Sequence, residues 1–109
     1  MEDYTLQQIM EHMPEAFIPE KAAGVNAVVQ CRFSGAEASE WVITIRDGKC
    51  SVETGTNPQS QMTLTMASQD YKDLVSGKLN AMTAFMQGKI KLSGDIALAM
   101  KFTGLFQAP

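Results

Sequence analysis

The chain has 109 residues, enough for one hydrophobic core, so residues 1–109 are predicted to form a single domain. Its apolar fraction of 45% and charged fraction of 19% are ordinary for a globular protein, and its longest apolar run, residues 96–100, is too short to span a bilayer. The net charge of −3 argues against a general nucleic-acid binder, because such proteins neutralise phosphates with Lys and Arg.

The first predicted element is a helix over residues 5–17. Pro14 is expected to end or kink this helix, because proline removes a backbone hydrogen-bond donor. Residues 19–24 are predicted to form a connector of small and turn-forming residues. The apolar residues of the helix recur with helical spacing at Leu6, Ile9, Met10, Met13 and Phe17.

Three strands with a two-residue period follow, and Asp47-Gly48 predicts a two-residue hairpin turn between the second and the third. This turn pairs Ile45 with Cys50 and Ile43 with Val52, which places apolar residues together on one face of the sheet. The opposite face is expected to be wet and carries Gln30, Arg32, Thr44, Arg46, Ser51 and Glu53.

Residues 62–66 alternate between apolar and polar and predict a fourth strand. Two short helices follow, the first capped by Ser68 and the second by Asn80. A fifth strand over residues 89–93 leads into a final helix over residues 95–106. This order predicts an α+β fold, a five-stranded, mainly antiparallel sheet with helices packed on one face.

The sequence contains no recognisable catalytic or metal-binding constellation. His12 is the only histidine, and there is no Gly-rich phosphate loop, GxSxG elbow or HExxH motif. Cys31 and Cys50 lie at apolar strand positions without a CxxC spacing, so they are expected to be reduced, buried thiols. We therefore predict a protein that is not an enzyme and that carries no cofactor and no metal.

Two features of the composition, the many methionines and a group of lysines near the end of the chain, can each be interpreted in two ways. Eight methionines are many for this length, and seven of them are expected to face the core, where they either fill irregular gaps or line an adaptable pocket. Four lysines in residues 78–101 stand against Asp95 alone, and they form either a solvated surface or a basic rim for anionic headgroups. The methionines expected to face the core are Met10, Met13, Met62, Met66, Met82, Met86 and Met100.

Residues 77–95 follow the pattern G-K-L-x-x-x-x-A-F-M-x-G-K-hydrophobic-K-hydrophobic-x-G-D. This pattern resembles the most recognisable segment of the sterol carrier protein type 2 family. Residues 41–48 resemble the family's central hairpin, residues 96–101 resemble its final helix, and the element order agrees over residues 5–106. The resemblance implies the sterol carrier protein type 2 fold, with an apolar tunnel for fatty acids, fatty acyl-CoAs, sterols or other lipids.

Carried onto this chain, the resemblance implies a set of lipid-binding residues on the tunnel wall. They are Trp41, Ile43, Met82, Phe85, Met86, Ile90, Met100, Phe102, Leu105 and Phe106. The basic rim at the tunnel mouth then consists of Lys78, Lys89, Lys91 and Lys101.

The resemblance implies non-catalytic intracellular lipid binding and transfer. Two alternatives stay open, namely an accessory domain that presents a lipid-like substrate such as a quinone precursor to an enzyme, and an interaction domain whose own Met and Phe side chains fill the cavity. The expected partners are a small apolar ligand and, transiently, a membrane surface, with no nucleic acid; a homodimer is left open. The ends of the chain show neither a secretory signal nor a peroxisomal tripeptide, which predicts a cytoplasmic location.

Overall fold

The computed structural model describes residues 4–106, apart from the side chain of Thr103. The element order is the predicted one, with a short 3₁₀ turn added in the connector and another after the last helix. The elements are α1 (Leu6–Ala16), a 3₁₀ turn (Pro19–Ala22), β1 (Ala27–Ser34), β2 (Ser39–Arg46), β3 (Lys49–Thr54), β4 (Met62–Ala67), α2 (Ser68–Val75), α3 (Ala81–Met86), β5 (Lys91–Gly94), α4 (Ile96–Phe102) and a second 3₁₀ turn (Thr103–Leu105).

The five strands form one sheet in the order β3-β2-β1-β4-β5, with antiparallel neighbours except for the parallel pair β1 and β4. The predicted α+β fold is confirmed. The hairpin has the predicted register, with Ile45 opposite Cys50 and Ile43 opposite Val52. Asp47 and Gly48 both have positive φ, as a two-residue turn of this kind requires.

The core lies on one face of this sheet. Alternate residues of β1, β2 and β4 are buried there, and α1 packs against β3 and adds Leu6, Ile9 and Met10. Thr5 caps α1 by accepting a hydrogen bond from Gln8 N at 3.1 Å, and the helix continues beyond Pro14 to Ala16. Pro14 therefore does not end the helix, because so close to the C-terminus it interrupts little of the hydrogen-bond ladder.

The opposite face is partly covered, which corrects the expectation that Gln30 is wet. The connection from β3 to β4 has to pass β2 and β1, and it does so across this face. Gln30 is 3% exposed, and its Nε2 donates to Gly55 O at 3.0 Å and to Trp41 O at 3.2 Å. Its Oε1 accepts from Asn57 N at 2.8 Å. The Gln30 amide thus supplies the partners that the crossing backbone needs.

The caps of the two short helices differ from each other. Asn80 caps α3 as predicted, by accepting from Thr83 N at 3.1 Å. Ser68 does not cap α2, because the N-cap position belongs to Ala67 and makes no side-chain hydrogen bond. The Ser68 hydroxyl instead accepts from Glu37 N at 3.2 Å, which joins α2 to the turn between β1 and β2.

Candidate functional site

The exposed large apolar side chains of this protein are concentrated on α3 and α4. Met82, Phe85 and Met86 on α3 are 68%, 52% and 79% exposed, and Ile96 and Met100 on α4 are 52% and 80% exposed. Elsewhere in residues 4–106 only Tyr4 is comparable, at 44%. Both helices therefore present apolar surface that residues 4–106 leave uncovered.

The sequence of each helix explains this exposure. On α3 the buried residue is Ala84, and the three large side chains lie at i, i+3 and i+4 on the opposite side. On α4 the buried residue is Leu98, with Ile96 and Met100 on the opposite side.

The expectation that all seven methionines face the core is therefore wrong for Met82, Met86 and Met100. Helical periodicity identifies residues that share a face but not what covers that face. Because these three side chains are exposed, they do not fill an internal cavity.

The ten predicted wall residues divide by burial. Trp41, Ile43, Ile90 and Leu105 are buried in the core, while Phe102 and Phe106 are partly buried against it. The Trp41 indole N–H donates to Ser39 Oγ at 2.9 Å. The Phe106 ring lies 5.2 Å from the Phe102 ring, measured between centroids. The remaining four residues, Met82, Phe85, Met86 and Met100, are exposed.

Met100 and Leu105 also line a surface cleft of about 430 Å³ between the first 3₁₀ turn and the end of α4. We call it the α4 cleft. Its lining combines four apolar side chains with two lysines, Ala23, Val25, Met100, Leu105, Lys21 and Lys101. The cleft is open to solvent rather than enclosed.

The sequence analysis missed Lys21 and Val25. The one sequence signal that marks Lys21 is that no other Lys or Arg precedes Arg32. Nothing in the sequence shows that the connector of residues 19–24 meets the end of α4. That contact is made in the structure, where Ile18 N donates to Leu105 O at 2.8 Å and Phe17 pairs with Phe106.

The four lysines predicted as a rim do not surround one opening. Lys101 lies at the α4 cleft, whereas Lys89 and Lys91 line a second cleft of about 260 Å³ beside Asp70 and Met66. Lys78 is exposed and lines neither cleft. Within residues 4–106, Lys21, Lys89, Lys91 and Lys101 form no ion pair. Each cleft therefore carries two ammonium groups that can attract an anion.

The described part of the chain offers little reactive chemistry. Burial raises the pKa of the Cys31 thiol to about 12 and that of Cys50 to about 11, so both are protonated at neutral pH. His12 is exposed and pairs with Glu15 at 3.0 Å. Among residues 4–106, no group of His, Cys, Asp and Glu side chains is placed to hold a metal ion, and no helix is long and apolar enough to cross a bilayer.

Comparison with known proteins places this fold and sequence in a defined group. The SCP-2 sterol transfer family matches residues 6–107. Human sterol carrier protein 2 is 34% identical over 104 residues, which are 95% of this chain but only 19% of that protein. The chain thus spans about a fifth of the length of the sterol carrier protein 2 relatives that it matches.

Two solved structures have a fold similar to that of this chain. Palmitated SCP2L2 from Aedes aegypti is 28% identical, with a TM-score of 0.74 over 95% of this chain and 93% of that one. The sec-alkylsulfatase Pisa1 from Pseudomonas sp. is 23% identical, with a TM-score of 0.84 over 97% of this chain and 17% of that one. The second likeness concerns the fold alone.

Proposed function

Because this chain belongs to the SCP-2 sterol transfer family, a membership that implies lipid binding or transfer, we propose that it is a non-catalytic carrier of anionic, single-chain lipids. A fatty acid is the simplest such ligand, and a fatty acyl-CoA or a sterol derivative with an acidic group has the same two parts. The observation that supports this ligand class is the α4 cleft, in which two lysines without ion pairs border an apolar lining.

The polar end of the ligand is proposed to lie between Lys21 and Lys101. Ammonium groups attract carboxylate and phosphate, and a charge-assisted hydrogen bond is stronger than a neutral one. Since neither lysine has an ion-pair partner within residues 4–106, binding an anion there breaks no existing ion pair.

The hydrocarbon chain is proposed to extend over Val25 and Met100 towards Leu105. Leu105 belongs both to the lining of the cleft and to the buried core, so it is the point at which the cleft meets the interior. Movement of α4 there would bring the partly buried Phe102 and Phe106, and the buried Trp41, Ile43 and Ile90, into the path of a longer chain. In this proposal those residues form the deep end of the site.

The energetics suit a carrier rather than a permanent store. Each methylene that leaves water contributes about 0.8 kcal/mol, and a bilayer offers nearly the same gain. Exchange between protein and membrane is therefore close to balance for the hydrocarbon part. Apolar burial is not directional, so the chain length and branching of the ligand are weakly selected.

Displacement of a fluorescent fatty acid tests the cleft. We expect the double variant Lys21→Gln/Lys101→Gln to bind it about tenfold or more weakly, because the headgroup loses its charge-assisted partners. The matched control is Arg46→Gln/Lys49→Gln, two exposed cations on the β2–β3 hairpin, which should bind as the parent does. Equal affinity of both double variants would reject the cleft, and an absence of binding by the parent would reject the ligand class.

A second role is favoured by the size of the relatives. The chain matches only 19% of human sterol carrier protein 2, so a region of this kind also occurs within much longer proteins. The alternative is that the chain presents a lipid-like substrate to a partner enzyme. Stoichiometric recovery of one enzyme from a pull-down, lost when Lys21 and Lys101 are replaced by Gln, would favour this role over free transport.

A further inference from the structure

Gln61 is an exposed residue whose hydrogen bonds join the starts of β1, β4 and α4. Its backbone N–H donates to Val28 O at 2.9 Å, and its side-chain Oε1 accepts from Val28 N at 2.6 Å. Its Nε2 donates to Asn26 O at 3.2 Å, and its backbone carbonyl accepts from Asp95 N at 2.8 Å. Because the side chain is exposed, its contribution to the structure consists of these bonds rather than of burial in the core.

The side-chain amide extends the pairing between β1 and β4. The parallel pairing of the two strands begins with Val29 opposite Met62, so the backbone of residues 26–28 lies beyond the end of the regular ladder. The Gln61 amide offers this backbone one acceptor and one donor, as a further strand residue would. It thereby fixes the chain at the point where the connector enters β1.

The fixed backbone continues directly into one wall of the α4 cleft. Val25, which lines the cleft, precedes Asn26, and its N–H donates to Ala22 O at 2.9 Å. Ala22 is 1% exposed and follows Lys21, the cation on this wall. A short hydrogen-bonded turn therefore connects the Gln61 amide to the backbone of Lys21.

The Gln61 carbonyl fixes the start of the other wall. Its partner Asp95 lies just before α4, and the Asp95 side chain accepts from Leu98 N at 3.0 Å, so the helix begins at a defined place. Lys101, the cation on this wall, lies in the last turn of the same helix. One residue thus positions the backbones that carry both lysines of the cleft.

The two walls are joined a second time, without Gln61. Ile18 N donates to Leu105 O at 2.8 Å, and Phe17 forms a β-bridge with Phe106. The lining residues of the cleft all belong to the two segments that these ties delimit, residues 18–28 and 95–105. Because each segment is held at both ends, loss of the Gln61 tie would leave the walls free to move about the remaining one.

We propose that Gln61 is a positioning residue of the α4 cleft, which holds the ammonium groups of Lys21 and Lys101 at a separation that lets both contact one anionic headgroup. Two charged donors strengthen binding of one carboxylate only if both reach it at once. Gln61 is not among the residues that line the cleft, so it acts through the two backbones rather than by touching the ligand. This inference rests on the proposed function, because it assumes that a headgroup binds between the two lysines.

Binding of a fluorescent fatty acid and of its uncharged methyl ester to Gln61→Met tests this role. Methionine keeps the length of the side chain but loses both hydrogen bonds of the amide. We expect the variant to bind the acid about fivefold more weakly, because only one ammonium group then reaches the headgroup, and to bind the ester as the parent does. The control Gln59→Met changes an exposed glutamine whose backbone N–H, and not its side chain, bonds to Asn57, and it should bind both ligands as the parent does.

A double-mutant cycle separates positioning from a general loss of structure. In the Lys101→Gln background only one ammonium group remains at the cleft, so Gln61→Met should weaken binding of the acid no further. Hydrogen exchange at the Val28 amide reports whether the tie itself is broken, and it should be faster in Gln61→Met than in the parent. Unchanged exchange at Val28 would overturn the proposal, since the Gln61 amide would then not hold this backbone.

The remaining outcomes distinguish this inference from the proposed function. If Lys21→Gln/Lys101→Gln binds the acid weakly but Gln61→Met binds it as the parent does, the positioning role is overturned and the proposed function stands. Equal losses for the acid and the ester, or a further loss in the Lys101→Gln background, would also overturn the role, because Gln61 would then maintain the shape of the cleft rather than the placement of its charges. Parent-like binding of the acid by Lys21→Gln/Lys101→Gln would reject the cleft of the proposed function and this inference with it.

Discussion

Gly94, at the end of β5, packs directly against Gln61, the residue before β4. A Cβ at position 94 would overlap the Gln61 carbonyl oxygen, and Gly94 has φ +94°, which side chains rarely adopt. The same carbonyl accepts Asp95 N at 2.8 Å, so this contact fixes where the chain leaves the sheet to begin α4. We predict that Gly94→Ala lowers the free energy of unfolding by about 3 kcal/mol, measured by urea denaturation.

Gly88→Ala is the matched control for this substitution. Gly88 also has a positive φ, of +76°, but a Cβ there meets no atom within 4 Å. Backbone strain alone is expected to cost about 1 kcal/mol. Equal losses for the two variants would mean that the approach to Gln61 contributes nothing.

Gln30 is predicted to be essential to the connection between β3 and β4. Gln30→Leu keeps the volume but leaves Gly55 O and Asn57 N without their side-chain partner. Unpartnered buried polar groups are costly, so the free energy of unfolding should fall by about 2 kcal/mol or more. Thermal unfolding measures this loss, and the exposed Gln59→Leu should change stability little. A stable Gln30→Leu protein would show that water replaces the amide.

The two thiols are predicted to react in a fixed order and to weaken the fold at high pH. Burial raises the pKa of Cys50 to about 11 and that of Cys31 to about 12, from 9.0, so the folded state holds both protons more tightly than the unfolded state. Their contribution to stability is therefore complete below pH 9 and is lost as the pH rises towards 12.

Alkylation kinetics check this order. Cys50 is half-buried and should react before the fully buried Cys31, and both should react quickly in urea. The Cys50→Ser variant should show only the slow phase, and a remaining fast phase would place the reactive thiol at Cys31.

Glu37 is predicted to make the fold sensitive to acid. Its carboxylate accepts from Lys72 Nζ at 2.9 Å and from Leu6 N at 2.9 Å, and these bonds, that of Lys72 first, lower its pKa. A lowered pKa stabilises the fold above the ordinary value of 4.5, and this contribution is lost as the pH falls through the lowered pKa.

Urea unfolding of Glu37→Gln at several pH values tests this. The variant should be less stable than the parent at neutral pH, and the difference should shrink in acid. Glu40→Gln is the control, because Glu40 pairs with Arg32 at 3.1 Å with both side chains exposed, a type of pair worth about 0.5 kcal/mol. If the loss of stability caused by Glu37→Gln did not depend on pH, the shape of the Glu37 side chain rather than its charge would be responsible.

The strands and their sequence along the chain could be predicted because local signals determine them. Asp47-Gly48 fixed the turn, and the two-residue period then fixed the register of Ile43 and Ile45. The resemblance of residues 77–95 correctly indicated the family. These features depend on neighbours in sequence or on long continuous patterns.

The features that could not be predicted depend on contacts between distant segments. The burial of Gln30 follows from a loop that crosses the sheet, and no pattern within β1 shows that crossing. The α4 cleft joins Lys21 to Lys101, which are separated by most of the chain. Met86 has the same spacing as a core residue, yet it is exposed, since Ala84 occupies the face that packs inward.

The small contact of α3 and α4 with the interior has a consequence for motion. Among the described side chains of these helices, only Ala84 and Leu98 are buried. The backbone amide hydrogens of α3 and α4 should exchange with solvent well before those of β1 and β2, whose side chains form the centre of the core. We expect these helices to open while the sheet stays intact, and in the proposed function such an opening admits ligands of different widths without a change in the framework.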